Sequence, residues 1–162
     1  MPKDRRSSFD YGLGGLFGLR DPHDLLKKLK HDAQRLELNP VDSFAAFDFF
    51  VTANCLVDWS WPSETRQQLN AERQIDLLPR ICWHLADAAK HYLLDTKHQG
   101  VESATLNPGV FDHNVFDPAI FDAGELVVEL EPSEAAELGQ PSIEVRKLAA
   151  MVVQYWSRRF CS

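Results

Sequence analysis

One predicted helix carries arginine, histidine and aspartate at spacings of three and four residues. The set comprises Arg80, His84, Asp87, His91, Asp95 and His98. At about 100° per residue these positions share one helix face. Side chains of these types can bind a metal ion, transfer protons or form a ladder of ion pairs. The residues alone leave the three alternatives open.

The last four of these residues form the candidate metal set. Asp87 and His91, and likewise His91 and Asp95, are spaced by four, and His98 follows three residues later. Both spacings bring two side chains near one ion on a helix. No HExxH pattern accompanies them, so we expect no cofactor, with a divalent metal as the alternative.

Four residues of the same helix form the candidate catalytic set. A histidine that titrates near neutral pH, oriented by an aspartate and close to an arginine, can act as a general acid or base. The candidates are Arg80, His84, Asp87 and His91. The rival interpretation is structural, because such a face also forms ion pairs within a bundle or between subunits.

Charge is unevenly distributed along the chain, whose formal net charge is -7. No lysine or arginine occurs between Lys97 and Arg146, whereas acidic residues recur throughout that stretch. Such a segment repels phosphate backbones, so nucleic acid is not a favoured partner. We expect a solvated acidic surface, with a basic partner protein as the alternative. The candidate contacts for that partner are Glu125, Glu129 and Glu134, on an exposed edge.

Apolar periodicity and capping residues predict the elements that position these groups. Asp21-Pro22 begins a helix, and Asn39-Pro40 separates it from the next. Predicted helices span 21–38, 41–58, 63–75 with Ser63 as its cap, 79–98, 133–138 and 142–160 with Ser142 as its cap, and a strand spans 125–130. The fold class is therefore mainly α, a bundle of four long helices with a short β-strand element near 125–130. Residues 1–20 form a flexible Gly-rich arm, and 21–162 form a single helical domain.

The second predicted helix is apolar nearly all round, which places it at the centre of the protein. Asp48 and Thr52 on this helix then need partners. The predicted core comprises Leu25, Leu29, Phe47, Phe50, Leu56, Leu85, Tyr92, Leu148 and Trp156. Residues 99–124 are predicted to be irregular and contain three Phe-Asp repeats at 111–122.

The compartment follows from what the sequence lacks. No apolar run approaches the roughly 20 residues of a membrane helix. The three cysteines show no CxxC spacing, which favours reduced thiols. We therefore expect a cytoplasmic protein with no membrane contact.

Three short motifs carry a resemblance: Phe47-Asp48-Phe49-Phe50, Asp58-Trp59 and Ala89-Lys90-His91. Over about 21–160 the chain resembles a widespread group of uncharacterised small bacterial and phage-associated proteins. In its helical architecture and its Arg/His helix it is more distantly similar to the HEPN ribonucleases and defence-system proteins.

The resemblance implies a binding or regulatory module in bacterial defence or phage–host conflict, and we expect a homo-oligomer, specifically a homodimer. One alternative is a HEPN-like ribonuclease with Arg80, His84 and His91 in its site. Another is an acidic decoy protein that occupies the basic surface of a partner.

Overall fold

Helices make up most of the described chain, and a small three-stranded antiparallel sheet accompanies them. The computed structural model describes residues 17–61, 64–90, 101–107 and 124–161. In chain order the elements are α1 (Pro22–Leu38), α2 (Ser43–Ser60), α3 (Arg66–Ile75), α4 (Leu77–Lys90), β1 (Val101–Asn107), β2 (Glu125–Leu130), α5 (Pro132–Leu138), β3 (Ser142–Glu144) and α6 (Val145–Phe160).

The helix starts are determined by local hydrogen bonds. Asp21 caps α1 by accepting from the Asp24 amide at 2.9 Å, and Asp42 caps α2 in the same way. These caps satisfy amides that have no partner inside the helix. The predicted start of the third helix at Ser63 is wrong, since Thr65 caps α3 through a capping box with Gln68.

The core is built around α2. Phe49, Leu56 and other apolar side chains of α2 are buried against α1 and α4, and α6 also contacts α2. Seven of the nine predicted core residues are buried, but Phe47 is 50% exposed. The prediction for Phe47 is wrong because the helices and the sheet leave that side of α2 partly uncovered. Tyr92 lies outside the described residues.

The sheet has β2 at its centre, with β1 and β3 antiparallel to it on either side. Val128 pairs with Ala104 on one side and with Ile143 on the other. Strand β2 matches the prediction, whereas β1 lies in a stretch predicted to be irregular. The predicted helix start at Ser142 is also wrong, because 142–144 pairs with β2 and α6 begins only at Val145.

The polar residues of α2 have partners, as predicted. The Lys28 Nζ donates to the Asp32 Oδ2 at 2.5 Å and to the Thr52 Oγ1 at 2.9 Å. The Arg35 Nη1 donates to the Asp48 Oδ2 at 2.8 Å. Polar contacts between α1 and α2 therefore accompany their apolar packing.

Some predictions fall on residues that the structure does not describe. These are residues 1–16 of the predicted arm, the predicted helix beyond Lys90 and the Phe-Asp repeats at 111–122. Within the described ranges, no helix is both long and apolar enough to cross a membrane.

The two phenylalanines Phe50 and Phe44 test the position of α2. Phe50 is 4% exposed and Phe44 is 80% exposed. Replacing Phe50 by Ala should lower the free energy of unfolding by about 3–5 kcal/mol, because it leaves a cavity in the core. Phe44→Ala should change it by less than about 0.5 kcal/mol when both variants are measured at a protein concentration low enough for the monomer. Urea denaturation measures both, and equal effects would contradict this account of α2.

Candidate functional site

The predicted polar stripe is described only in its first half. Arg80, His84 and Asp87 lie on α4, while the remaining candidates, His91, Asp95 and His98, lie outside the described residues. Among the residues that the structure describes, no group of three or more His, Cys, Asp or Glu could hold a metal ion.

Arg80 joins α4 to α5. Its Nε lies 3.2 Å from the Glu134 Oε1, and its Nη2 donates to Glu137. Its Nη1 also donates to the backbone carbonyl of Gln74 at 3.2 Å. The Arg80 guanidinium therefore holds α5 and the end of α3 to the start of α4.

His84 and Asp87 have surroundings that differ from those of Arg80. The His84 ring is buried and stacks on the ring of Trp83, with centroids 5.7 Å apart and planes 20° apart. Asp87 is partly exposed and lines a polar cleft between α2, α3 and α4. The described contacts thus place Arg80 in ion pairs with α5, and Asp87 at the wall of the cleft.

The prediction that Glu134 lies on an exposed edge is wrong. Only 8% of its side chain is exposed, because Arg80 covers it and the Ser133 hydroxyl donates to it. Glu134 is therefore a buried partner in an ion pair. No local pattern around Glu134 indicates this contact, because Arg80 approaches from a different helix.

Glu125 and Glu129 lie on the outer face of the sheet, the face opposite the buried Val128. Because side chains alternate along a strand, Glu125 and Glu129 of β2 share this face. The register pairs Val127 of β2 with Glu144 of β3, so Glu144 lies on this face as well. The three glutamates and Lys147 line an open concavity of about 550 Å³. We call this surface the acidic sheet face.

The Glu125 and Glu144 carboxyl groups form a coupled pair. Partial burial and the neighbouring carboxylate of Glu144 raise the pKa of Glu125. Burial acts in the same direction on Glu144, but hydrogen bonds with Lys147 and Glu125 hold the pKa of Glu144 below its ordinary value. Two carboxylates this close disfavour the doubly charged state.

Two cations of α6 partly compensate this charge. The Arg146 Nη2 lies 3.8 Å from the Glu125 Oε2 and 3.6 Å from the Glu144 Oε2, and Lys147 donates to Glu144. Among the described residues, no ion pair involves Glu129. Glu144 is not among the predicted contacts, because the pattern places it inside the helix predicted to begin at Ser142, whereas it ends β3.

Comparisons with protein-family models, with curated proteins and with solved structures find no match to this chain. The fold defines it as a mainly helical protein with a small antiparallel sheet, a description that by itself implies no function.

The Arg80–Glu134 contact predicts a stability effect. Replacing Arg80 by Met should lower the free energy of unfolding by about 1–3 kcal/mol, since Glu134 then stays buried without its cation. Replacing both Arg80 and Glu134, by Met and Gln, should recover part of that loss. Denaturation of the single and double variants forms a double-mutant cycle, and strictly additive losses would show that the two side chains are not coupled.

Proposed function

We propose that the protein is a binding or regulatory module that recognises a basic segment of a partner protein with its acidic sheet face. The observation that carries this proposal is the grouping of Glu125, Glu129 and Glu144 around one open concavity. An acidic decoy is a special case, in which the partner's basic segment normally binds nucleic acid.

The carboxyl pair supports this choice of partner. The raised pKa of Glu125 reflects partial burial and repulsion by Glu144, so the protein holds an unfavourable arrangement of charge at this place. A lysine or arginine side chain that enters the concavity offsets that repulsion. Glu129, on the same strand face, offers a second carboxylate to a basic segment. Electrostatic attraction of this kind contributes specificity and a fast association rate.

A labelled hexalysine peptide provides the first probe. We expect binding by fluorescence anisotropy at low salt, and a loss of at least about tenfold in affinity at high salt because the attraction is screened. The double variant Glu125→Lys, Glu129→Lys should abolish binding while leaving the fold intact, because neither residue is fully buried.

Glu72→Lys supplies the matched control, since Glu72 lies on α3, outside the sheet. It should weaken hexalysine binding far less than the single variant Glu125→Lys or the single variant Glu129→Lys, each of which changes the net charge by the same amount. Equal effects would mean that the peptide responds only to net charge, and binding that is insensitive to salt would reject the proposal.

The same titration at several pH values tests the carboxyl pair. A proton and a cation compete for Glu125, so affinity should be full above its pKa and fall as the pH drops through it. Because that pKa is raised, the loss should begin at a higher pH than for an ordinary glutamate. In Glu144→Gln the midpoint should move to lower pH, since one cause of the raised pKa is removed. An unchanged midpoint would contradict the role assigned to the pair.

The rival proposal is a HEPN-like ribonuclease that uses Arg80, His84, Asp87 and His91. Its support is the resemblance, together with the nearness of His84 and Asp87 along α4. Arg80, in contrast, is engaged by Glu134 and Glu137. Under the binding proposal, purified protein should leave RNA intact. Reproducible cleavage that disappears in His84→Ala would favour the ribonuclease.

A cytoplasmic homodimer built on a bundle of four long helices completes the proposal, with a role in bacterial defence or phage–host conflict taken from the resemblance. The dimer is supported by the exposure of Phe44 and Phe47 on one side of α2, because monomers rarely leave large neighbouring aromatics in water. Light scattering on the purified protein measures its mass, and a monomer at all concentrations would contradict the proposed homodimer.

A further inference from the structure

A second site, independent of the sheet, lies between three helices. A polar cleft of about 200 Å³ separates α2, α3 and α4. Within the part of the chain that the structure describes, its charged lining consists of the cations Arg66, Arg73 and Lys90 and the carboxylates Asp58 and Asp87. We call this the arginine cleft.

Arg73 is the fixed element of the arginine cleft. Only 6% of its side chain is exposed, which is rare for an arginine. Its Nε donates to the Asn54 Oδ1 and its Nη2 to the Asp58 Oδ2, each at 2.7 Å. A weaker bond from Nη1 reaches Asn70 at 3.4 Å. A guanidinium has five N–H donors, so these three bonds orient it and leave two donors without a partner among the described residues.

The charge of the cleft is opposite in sign to that of the whole protein. Among the described residues, three cations and two carboxylates line it, a formal net charge of +1, whereas the chain carries -7. Because Asp58 is already paired with Arg73, the remaining charged groups of the described lining are the exposed side chains of Arg66 and Lys90 and the carboxylate of Asp87, which leave one positive charge in excess. An anion that enters therefore meets two exposed cations and one fixed guanidinium, the arrangement that binds carboxylate and phosphate groups.

A flat aromatic surface adjoins these cations. The indole of Trp83 lines the cleft, and the His84 ring stacked on it supports its orientation. An indole packs favourably against another planar ring. The lining thus combines a place for an oxyanion with a place for an aromatic body.

We propose that the arginine cleft binds a small molecule in which an oxyanion is attached to a flat aromatic body. The oxyanion contacts Arg66, Arg73 and Lys90, and the aromatic body packs on Trp83. This site uses no residue of the acidic sheet face, so either site can fail a binding test without the other.

Calorimetry with four simple probes tests the ligand class. Phenyl phosphate and benzoate carry both features, inorganic phosphate carries the anion alone, and phenol carries the ring alone. We expect phenyl phosphate or benzoate to bind with a Kd on the order of 1 mM or tighter. Their relative affinity distinguishes a phosphate site from a carboxylate site. Inorganic phosphate and phenol should each bind about tenfold more weakly than the better of the two. Phenol binding as tightly as phenyl phosphate and benzoate would overturn the proposal.

Substitutions at the rim test the contacts without disturbing the buried arginine. Lys90→Gln and Arg66→Gln should each weaken phenyl phosphate about tenfold. Lys27→Gln is the matched control, because Lys27 is exposed on α1 and its loss changes the net charge equally. Trp83→Leu should weaken the two aromatic anions but leave inorganic phosphate unchanged.

Three further outcomes would contradict the proposal for the arginine cleft. One is the absence of saturable binding by all four probes. Another is an equal loss of affinity in Lys27→Gln and Lys90→Gln, which would show that the affinity depends only on the net charge of the protein. The third is a parallel loss of inorganic phosphate and phenyl phosphate in Trp83→Leu, provided that this variant melts like the wild type. Should Trp83→Leu melt early, the rim variants decide the matter.

Discussion

The burial of α2 is the constraint on which the rest of the structure depends. This helix is apolar on nearly every side, and each of its large side chains gains about 1.5–3 kcal/mol when it leaves water. Helices α1, α4 and α6 supply apolar side chains such as Leu29, Ile81 and Val152, which are buried in the same core. The sheet adds Val128 from its inner face. Only the side that carries Phe44 and Phe47 stays open to solvent.

Because α2 is central, its buried polar residues need hydrogen-bond partners within the protein. The Asn54 amide is buried and would cost free energy without a partner, and it accepts from the Arg73 Nε. That bond holds Arg73 of the polar helix α3 inside the protein, where Asp58 compensates the charge of the arginine. An isolated buried guanidinium would be strongly unfavourable, so α3 is fixed against α2 by a charged contact as well as by packing. The arginine cleft is a consequence of this arrangement.

Predictions from the sequence succeed where the signal is local. Asp21 begins a helix with its own side chain as the cap, Pro22 favours the first helical position, and Gly139 ends α5 in a left-handed conformation that glycine adopts without strain. Predictions fail where distant pairing decides. Ser142 is a good helix cap by type, yet its pairing with Glu129 makes it part of a strand. Strand β1 likewise exists through its register with β2, which no short window of sequence contains.

The candidate sites show the same division. The charge of each residue follows from the sequence, but the residues that surround it in the fold do not. The acidic segment predicted carboxylates near β2, and Glu125 and Glu129 do share an open face. Glu134 belongs to the same segment and is buried against Arg80. The negative net charge of the chain likewise does not indicate the arginine cleft, where the described lining around Arg73 carries a positive net charge. Since attraction in salt acts over roughly 10 Å, a ligand responds to these local groups rather than to the total of -7. One acidic chain can therefore present a surface for cations and a cleft for anions.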